Sequence, residues 1–134
     1  RQLNNLKPKY AEQLVNEIEK ADFVVSLNIL NQLDILICDY INKFLQYTEQ
    51  EINQIRKYIQ NNHLSLLPKN KSALITDYEE LNKDDNGHLI KSKKLIYVEI
   101  PQSKNSVKWN WKFDIKKTYH SDSTTIFKVM AVNY

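Results

Sequence analysis

The stretch that most constrains the fold of this chain is residues 107–115, in which apolar and polar side chains alternate without interruption. The apolar positions are Val107, Trp109, Trp111, Phe113 and Ile115, and the polar ones are Lys108, Asn110, Lys112 and Asp114. Successive side chains of a β-strand point to opposite sheet faces, so the alternation predicts a strand with one apolar and one net-basic face. Both tryptophans of the chain fall on the apolar face, which is therefore expected to be buried.

The first half of the chain has apolar residues at helical spacing. Pro8 suits the first position of a helix, and a first helix is predicted over residues 8–22. Ser26 is the expected N-cap of a second helix, whose broad apolar stripe reaches Phe44. A helix that is apolar over so much of its circumference is expected to be central in the fold.

A third helix is predicted over residues 49–60, because Thr48 and Glu51 have the spacing of a capping box. The alternative is one long helix that runs through both the second and third segments. Residues 61–71 lose the periodicity and include Pro68, so they are interpreted as the connection between helices and sheet.

Strands are predicted over residues 94–100, 107–115 and 125–133, and residues 76–81 fit either a short helix or an irregular strand. The strongest turn signal lies between residues 76–81 and residues 94–100. There Asn86 and Gly87 can supply the positive φ angles of a type I′ turn. The last strand is apolar on both faces, which is typical of a strand covered on both sides.

A three-strand meander follows if these strands pair in order. The register that pairs apolar residues with apolar residues, and positive charges with negative ones, places Val98 opposite Trp109 and Lys128 opposite Asp114. The helices are then expected to pack on the tryptophan face.

The length of 134 residues predicts a single α+β domain over residues 1–134. Two or three N-terminal helices, over about residues 8–60, would pack on a C-terminal antiparallel sheet of three to four strands, over about residues 88–133. The net charge of +3 permits an anionic partner without requiring one. These residues contain no basic-then-apolar leader pattern and no apolar run of membrane-spanning length, and the start at Arg1 is expected of a fragment or a processed domain.

Several kinds of chemistry are disfavoured by the composition. One cysteine, Cys38, excludes an internal disulfide and is expected to be a buried thiol. The three histidines lack metal-ligand spacing, and a single glycine cannot build a phosphate-binding or dinucleotide-binding loop. No cofactor or metal is therefore predicted.

The predicted meander brings polar residues together at one end of the sheet. His88 and His120 should come close, and histidine side chains can exchange protons with a 2′-hydroxyl or a leaving oxygen near neutral pH. The candidate catalytic residues are His120, His88, Lys128, Lys116, Thr124 and Tyr119. Lysine would stabilise phosphate charge, and Thr or Tyr would orient the phosphate. The plainer interpretation is two loop histidines and lysines that solvate an exposed face.

The polar sheet face is the candidate nucleic-acid surface. Its predicted contacts are Lys108, Lys112, Tyr97 and Asn110, which combine phosphate-binding cations with an aromatic ring. Binding of RNA or DNA without cleavage is an alternative. His63 is expected at the end of a helix, where an imidazolium would complement the helix dipole.

This arrangement of helices, antiparallel sheet and scattered His, Lys, Ser and Thr resembles the ribonuclease toxin superfamily of barnase, colicin and RelE type. The resemblance covers the order of the predicted strands over residues 94–133. For the helices it extends only to their presence before the sheet. It implies a secreted toxin fragment that cleaves RNA, often tRNA, without a metal in the target-cell cytoplasm. It also implies a cognate immunity protein or antitoxin. The alternative is a non-catalytic protein-interaction module or an immunity-type protein.

Overall fold

The structure is a computed structural model that describes residue 10, residues 12–101, residue 103 and residues 105–133. Its elements, in chain order, are α1 (Glu12–Lys20), β1 (Val24–Leu27), α2 (Ile35–Phe44), α3 (Glu49–Ser65), β2 (Ser72–Lys83), β3 (Leu89–Lys94), β4 (Val107–Asp114) and β5 (Thr124–Asn133). Helices lie mostly in the N-terminal half and strands mostly in the C-terminal half, so the predicted α+β class is confirmed.

The first prediction that the structure corrects is the role of Ser26. This residue lies in β1, which pairs in parallel with β2 from Val24 opposite Ser72 to Leu27 opposite Ile75. The β-branched Val24 and Val25 favour a strand here, and the chain returns to β2 through α2 and α3, as parallel pairing requires. A strand therefore interrupts the predicted helical half. The predicted start of the first helix at Pro8 lies outside the described residues.

The third helix is confirmed together with its cap. Thr48 and Glu51 form both hydrogen bonds of a capping box, and α3 continues past residue 60 to Ser65. The chain is extended at Leu45, so the single long helix is wrong. His63 lies in the last turn of α3 as predicted. Burial lowers the pKa of His63, however, which favours a neutral imidazole over the expected imidazolium.

Helices α2 and α3 share a small apolar cluster of their own. Cys38 and Ile41 of α2 pack against Ile52 and Ile55 of α3. Cys38 has no exposed surface, which confirms the prediction of a buried thiol.

The sheet has five strands in a mixed arrangement. Its order is β1-β2-β5-β4, and β3 pairs with β2 beyond the end of β1. Strands β2 to β5 pair antiparallel, and β1 adds the parallel strand that the sequence did not predict. Strand β5 lies between β2 and β4, so both of its edges are hydrogen-bonded to neighbouring strands.

The turn between β2 and β3 is where the sequence placed it, but it is not of type I′. Gly87 has a positive φ of 83° and Asn86 does not. The N–H of Gly87 donates to the carbonyl of Asp84, and the N–H of Asp84 donates to the carbonyl of His88. The Asp84 carboxylate also accepts from the N–H groups of Asn86 and His88. These bonds stabilise a three-residue loop with glycine in the left-handed position.

Residues 95–100 form no strand, which overturns the predicted strand over 94–100 and the pairing of Val98 with Trp109. The buried side chain of Gln60 replaces the strand partner. Its amide donates to the carbonyl of Leu95 at 2.9 Å and accepts from the N–H of Tyr97 at 2.7 Å. Backbone groups that a helix side chain satisfies do not need a neighbouring strand.

The pairing of β4 with β5 is confirmed, but its register is not the predicted one. Trp109 lies opposite Val129, and Lys128 lies opposite Asn110 instead of Asp114. An irregularity between Lys112 and Asp114 also shifts the end of β4. The predicted register paired Lys128 with the charge of Asp114 on β4. In the structure Lys128 forms its ion pair with Glu79 of β2, at 2.6 Å.

The main core cluster lies on the sheet face opposite the tryptophans, which corrects the prediction of a core on the tryptophan face. Leu74 of β2 and Val132 of β5 contact Leu30, Leu64 and Leu67 in the main core cluster. Strand β5 is apolar on both sides, and this cluster, to which α3 contributes Leu64 and the segments beside the helices contribute Leu30 and Leu67, covers the side of Val132. No helix in the described part of the chain is long and apolar enough to cross a membrane.

Candidate functional site

The two faces of the sheet differ sharply in chemistry. We call the side that carries Trp109, Trp111, Phe113 and Phe127 the aromatic face, and the side that carries Lys108, Asn110, Lys112 and Lys128 the polar face. Trp109, Trp111 and Phe113 are 43%, 45% and 44% exposed. The rings of Phe113 and Phe127 contact each other with centroids 5.2 Å apart. The aromatic face is thus an open surface of adjacent rings.

Two connections meet at one end of this sheet. Lys83 at the end of β2 lies opposite Thr124 at the start of β5, so the β2–β3 turn and the β4–β5 loop are neighbours. An ion pair between Lys117 and Asp85 joins them. The predicted meander would bring His88 and His120 together here. The structure instead gives each a carboxylate partner: His88 pairs with Asp84, and His120 pairs with Glu80.

Glu80 and His120 form a carboxylate–imidazole pair at this end of the sheet. Oε1 of Glu80 lies 3.6 Å from Nε2 of His120. Glu80 lies opposite Phe127 in the sheet register, which places it on the aromatic face. It is 8% exposed, while the His120 side chain is about half exposed. A held carboxylate next to an accessible imidazole can act as a proton acceptor and a proton donor for one bound substrate.

Asp114 holds the loop that carries His120. Its Oδ1 accepts from the N–H and hydroxyl of Thr118, both at 2.9 Å. Its Oδ2 accepts from the N–H of Tyr119 at 2.5 Å and from the N–H of His120 at 3.4 Å. Desolvation raises the pKa of Asp114, but these hydrogen bonds outweigh it and the pKa lies below its ordinary value. The ionised carboxylate therefore organises residues 118–120, and it does not stay on the polar face as predicted.

Tyr119 connects the histidine to the aromatic face. Its ring lies edge-on to Phe113 at 5.6 Å and to His120 at 4.7 Å, measured between centroids. Tyr119 is 56% exposed, so a ligand can reach it. Two of the predicted catalytic residues, His120 and Tyr119, are thus in contact.

Of the two predicted catalytic lysines, Lys128 lies on the polar face and Lys116 lies in a loop. Lys128 is bonded to Glu79, which raises the pKa of Lys128 and lowers that of Glu79. Because Glu79 and Glu80 are neighbours on β2, Lys128 lies on the face opposite the Glu80–His120 pair. Strand alternation places Thr124 on that opposite face too, since Thr125 bonds to Asn82 next to the pair. Lys116 is exposed in the β4–β5 loop.

The cations closest to the pair by register come from β3. Lys93 lies opposite Glu80, and Lys91 lies opposite Asn82. The hydroxyl of Ser92 donates to Glu79 on the polar face, which agrees with Lys91 and Lys93 lying on the aromatic face. All of β3 is exposed, so both lysines can reach a bound anion.

The predicted nucleic-acid surface lies on the polar face. The ammonium of Lys108 lies 5.5 Å from the ring centre of Tyr78, beside a cavity of about 720 Å³ that Lys94 and Ser92 also line. Tyr97 lies off the sheet, where its hydroxyl accepts from Arg56 at 2.6 Å. Lys108, Asn110 and Lys112 are exposed, but they share no face with His120.

Glu80 was not predicted from the sequence as a site residue. Residues 76–81 were compatible with a helix or a strand, and only a strand with the register to Phe127 places Glu80 near His120. Within the described residues, no three His, Cys, Asp or Glu side chains converge as metal ligands would. Comparison with protein-family models, curated protein sequences and solved structures found no match.

Proposed function

We propose that this chain is a ribonuclease toxin domain that cleaves RNA by general acid–base chemistry without a metal. The observation that carries the proposal is the Glu80–His120 pair, 3.6 Å apart, in which the half-exposed imidazole lies next to the aromatic face through Tyr119. Carboxylate and imidazole are the two groups that cleavage through the ribose 2′-hydroxyl requires. The exposed rings of Trp111 and Phe113 can stack on bases of a single strand.

In the proposed reaction Glu80 accepts the proton of the 2′-hydroxyl, whose oxygen attacks the adjacent phosphorus. The bond from phosphorus to the 5′-oxygen breaks, and His120 donates its proton to that oxygen. The products are a 2′,3′-cyclic phosphate and a free 5′-hydroxyl, and proton exchange with water restores both side chains. Lys93, opposite Glu80 in the sheet, would stabilise the charge that develops on the phosphate.

The proposed biological partner is an immunity protein or antitoxin that covers the aromatic face. An acidic inhibitor would complement the net charge of +3 and the lysines of β3. Such a partner would prevent RNA from reaching His120.

The test is incubation of the purified domain with total tRNA in EDTA, followed by a denaturing gel. The variants are Glu80→Gln, His120→Ala and the control Glu79→Gln, which changes the neighbouring carboxylate on the polar face. We expect discrete fragments from wild type and from Glu79→Gln, and a loss of about 10²- to 10⁴-fold in rate for the other two. Full cleavage by a folded Glu80→Gln or His120→Ala variant would refute the assignment.

A second function is favoured by the exposure of β4, which is the last strand of the sheet order. An edge strand with unpaired backbone groups and exposed Trp109 can add a partner strand. In this alternative the chain is a non-catalytic interaction module. RNA would stay intact with every variant, and Trp109→Ala would reduce co-purification of a stoichiometric partner; fragments from wild type would exclude it.

A further inference from the structure

A separate cavity lies at the other end of the molecule, between α1, β1 and the end of α3. Its volume is about 570 Å³, which is in the range of small-molecule sites. Most of its lining is apolar, with contributions from Leu14, Ile18, Ile29, Leu33, Ile59 and Leu66. Leu14, Ile29 and Leu33 are each more than a third exposed, so apolar surface at the cavity is left in contact with water.

A hydrogen-bonded pair of side chains, Ser26 and His63, supplies polar groups to the lining of this apolar cavity. The hydroxyl of Ser26 lies 2.7 Å from Nε2 of His63, and both residues line the cavity. Ser26 is only 3% exposed. A hydroxyl has one donor and two acceptor positions, so Ser26 can bond to His63 and still bond to a second group.

Among the residues that the structure describes, no side chain of this cavity can neutralise a charged ligand. Its described lining residues include no Lys, Arg, Asp or Glu. Burial lowers the pKa of His63, so its imidazole is favoured in the neutral form. A carboxylate or an ammonium moved into this lining would lose its hydration without an ion-pair partner.

We propose that this cavity binds an uncharged molecule with one long apolar chain and a single hydroxyl or carbonyl group, which hydrogen-bonds to Ser26. The two tautomers of His63 explain why either group is accepted. If Nε2 accepts from Ser26, the serine oxygen accepts from a ligand hydroxyl. If Nε2 donates, the serine hydroxyl is free to donate to a ligand carbonyl. This binding is independent of the Glu80–His120 pair, which lies at the opposite end of β2 from Ser26.

The test is titration calorimetry of the full chain with decyl alcohol and, for comparison, with decanoate. Decyl alcohol should bind at one site per chain, and decanoate at least about tenfold more weakly because its charge is uncompensated. Ser26→Ala should weaken decyl alcohol by about five- to tenfold through the loss of one hydrogen bond. Ile18→Trp, which fills the cavity from α1, should abolish binding.

Leu36→Ala is the control, because Leu36 is 82% exposed on α2 and lies outside the lining. It should bind decyl alcohol as wild type does. Circular dichroism of each variant verifies folding, and if Ile18→Trp does not fold, Ser26→Ala and decanoate still test the site. Absence of saturable binding to wild type would overturn the proposal. Equal affinities of wild type and Ser26→Ala, or of decyl alcohol and decanoate, would do so as well.

Discussion

Asp114 is the residue on which the position of His120 most directly depends. Each carboxylate oxygen accepts two hydrogen bonds from residues 118–120. A carboxylate can accept at both oxygens, whereas an amide presents one NH₂ group that would face an N–H donor. Charge-assisted bonds of this kind are stronger than neutral ones, so Asp114 acts as a positioning residue for the proposed reaction.

Asp114→Asn should reduce RNA cleavage by about ten- to a hundredfold, because small misplacements of an acid–base group carry such costs. The ground-state affinity for RNA should change little, so the loss should fall on kcat and not on KM. Single-turnover and steady-state cleavage assays separate the two. A loss confined to KM would show that Asp114 contributes to binding instead of to the position of His120.

The same residue predicts a pH dependence of stability. The folded pKa of Asp114 lies below its ordinary value, so its contribution is present above the unfolded pKa and is lost as pH falls through the folded pKa. Urea unfolding at a series of acidic pH values should therefore give a shallower decline for Asp114→Asn than for wild type. Parallel declines would contradict the role of the ionised carboxylate.

At the scale of elements, periodicity predicted β4 and β5, missed β1 and β3, and predicted a strand over residues 94–100 where a side chain replaces a strand partner. Strand β4 was found from its alternation, and α3 from its capping box. Residues 95–100 have a strand-like sequence, but Gln60 satisfies their backbone. A bond between residues that far apart in the chain leaves no local signal. The parallel pairing of β1 was missed for the same reason.

Gln60→Leu should therefore destabilise the fold, by about 2 to 4 kcal/mol, because it leaves buried backbone groups of Leu95 and Tyr97 without partners. Gln50→Leu, an exposed position on the same helix, is the matched control and should change the free energy of unfolding by less than about 0.5 kcal/mol. Urea unfolding measures both. A Gln60→Leu variant as stable as the control would mean that residues 95–100 do not depend on this amide.

At the scale of the whole molecule, the two sheet faces explain why the candidate site was only half predictable. The sequence identified His120 and Tyr119 and the end of the sheet where they lie. The sequence could not predict which sheet face is buried in the core, because both sides of β5 are apolar and no local pattern distinguishes them. Because the main core cluster lies on the side of Val132, the aromatic rings of β4 remain exposed on the face of Glu80, and Lys128 lies on the other face.

The salt dependence of RNA binding distinguishes the aromatic face from the polar face as the RNA-binding surface. If RNA lies on the aromatic face, the double variant Lys91→Gln/Lys93→Gln should weaken binding. It should also reduce the slope of log affinity against log salt by about 1.4, because each phosphate contact on a single strand contributes about 0.7. The comparison pair, Lys108→Gln/Lys112→Gln, removes the same charge from the polar face and should leave the slope unchanged. Measuring both by fluorescence anisotropy in the His120→Ala background avoids cleavage. A reduced slope for the second pair alone would place RNA on the polar face, far from Glu80, and would count against cleavage by the Glu80–His120 pair.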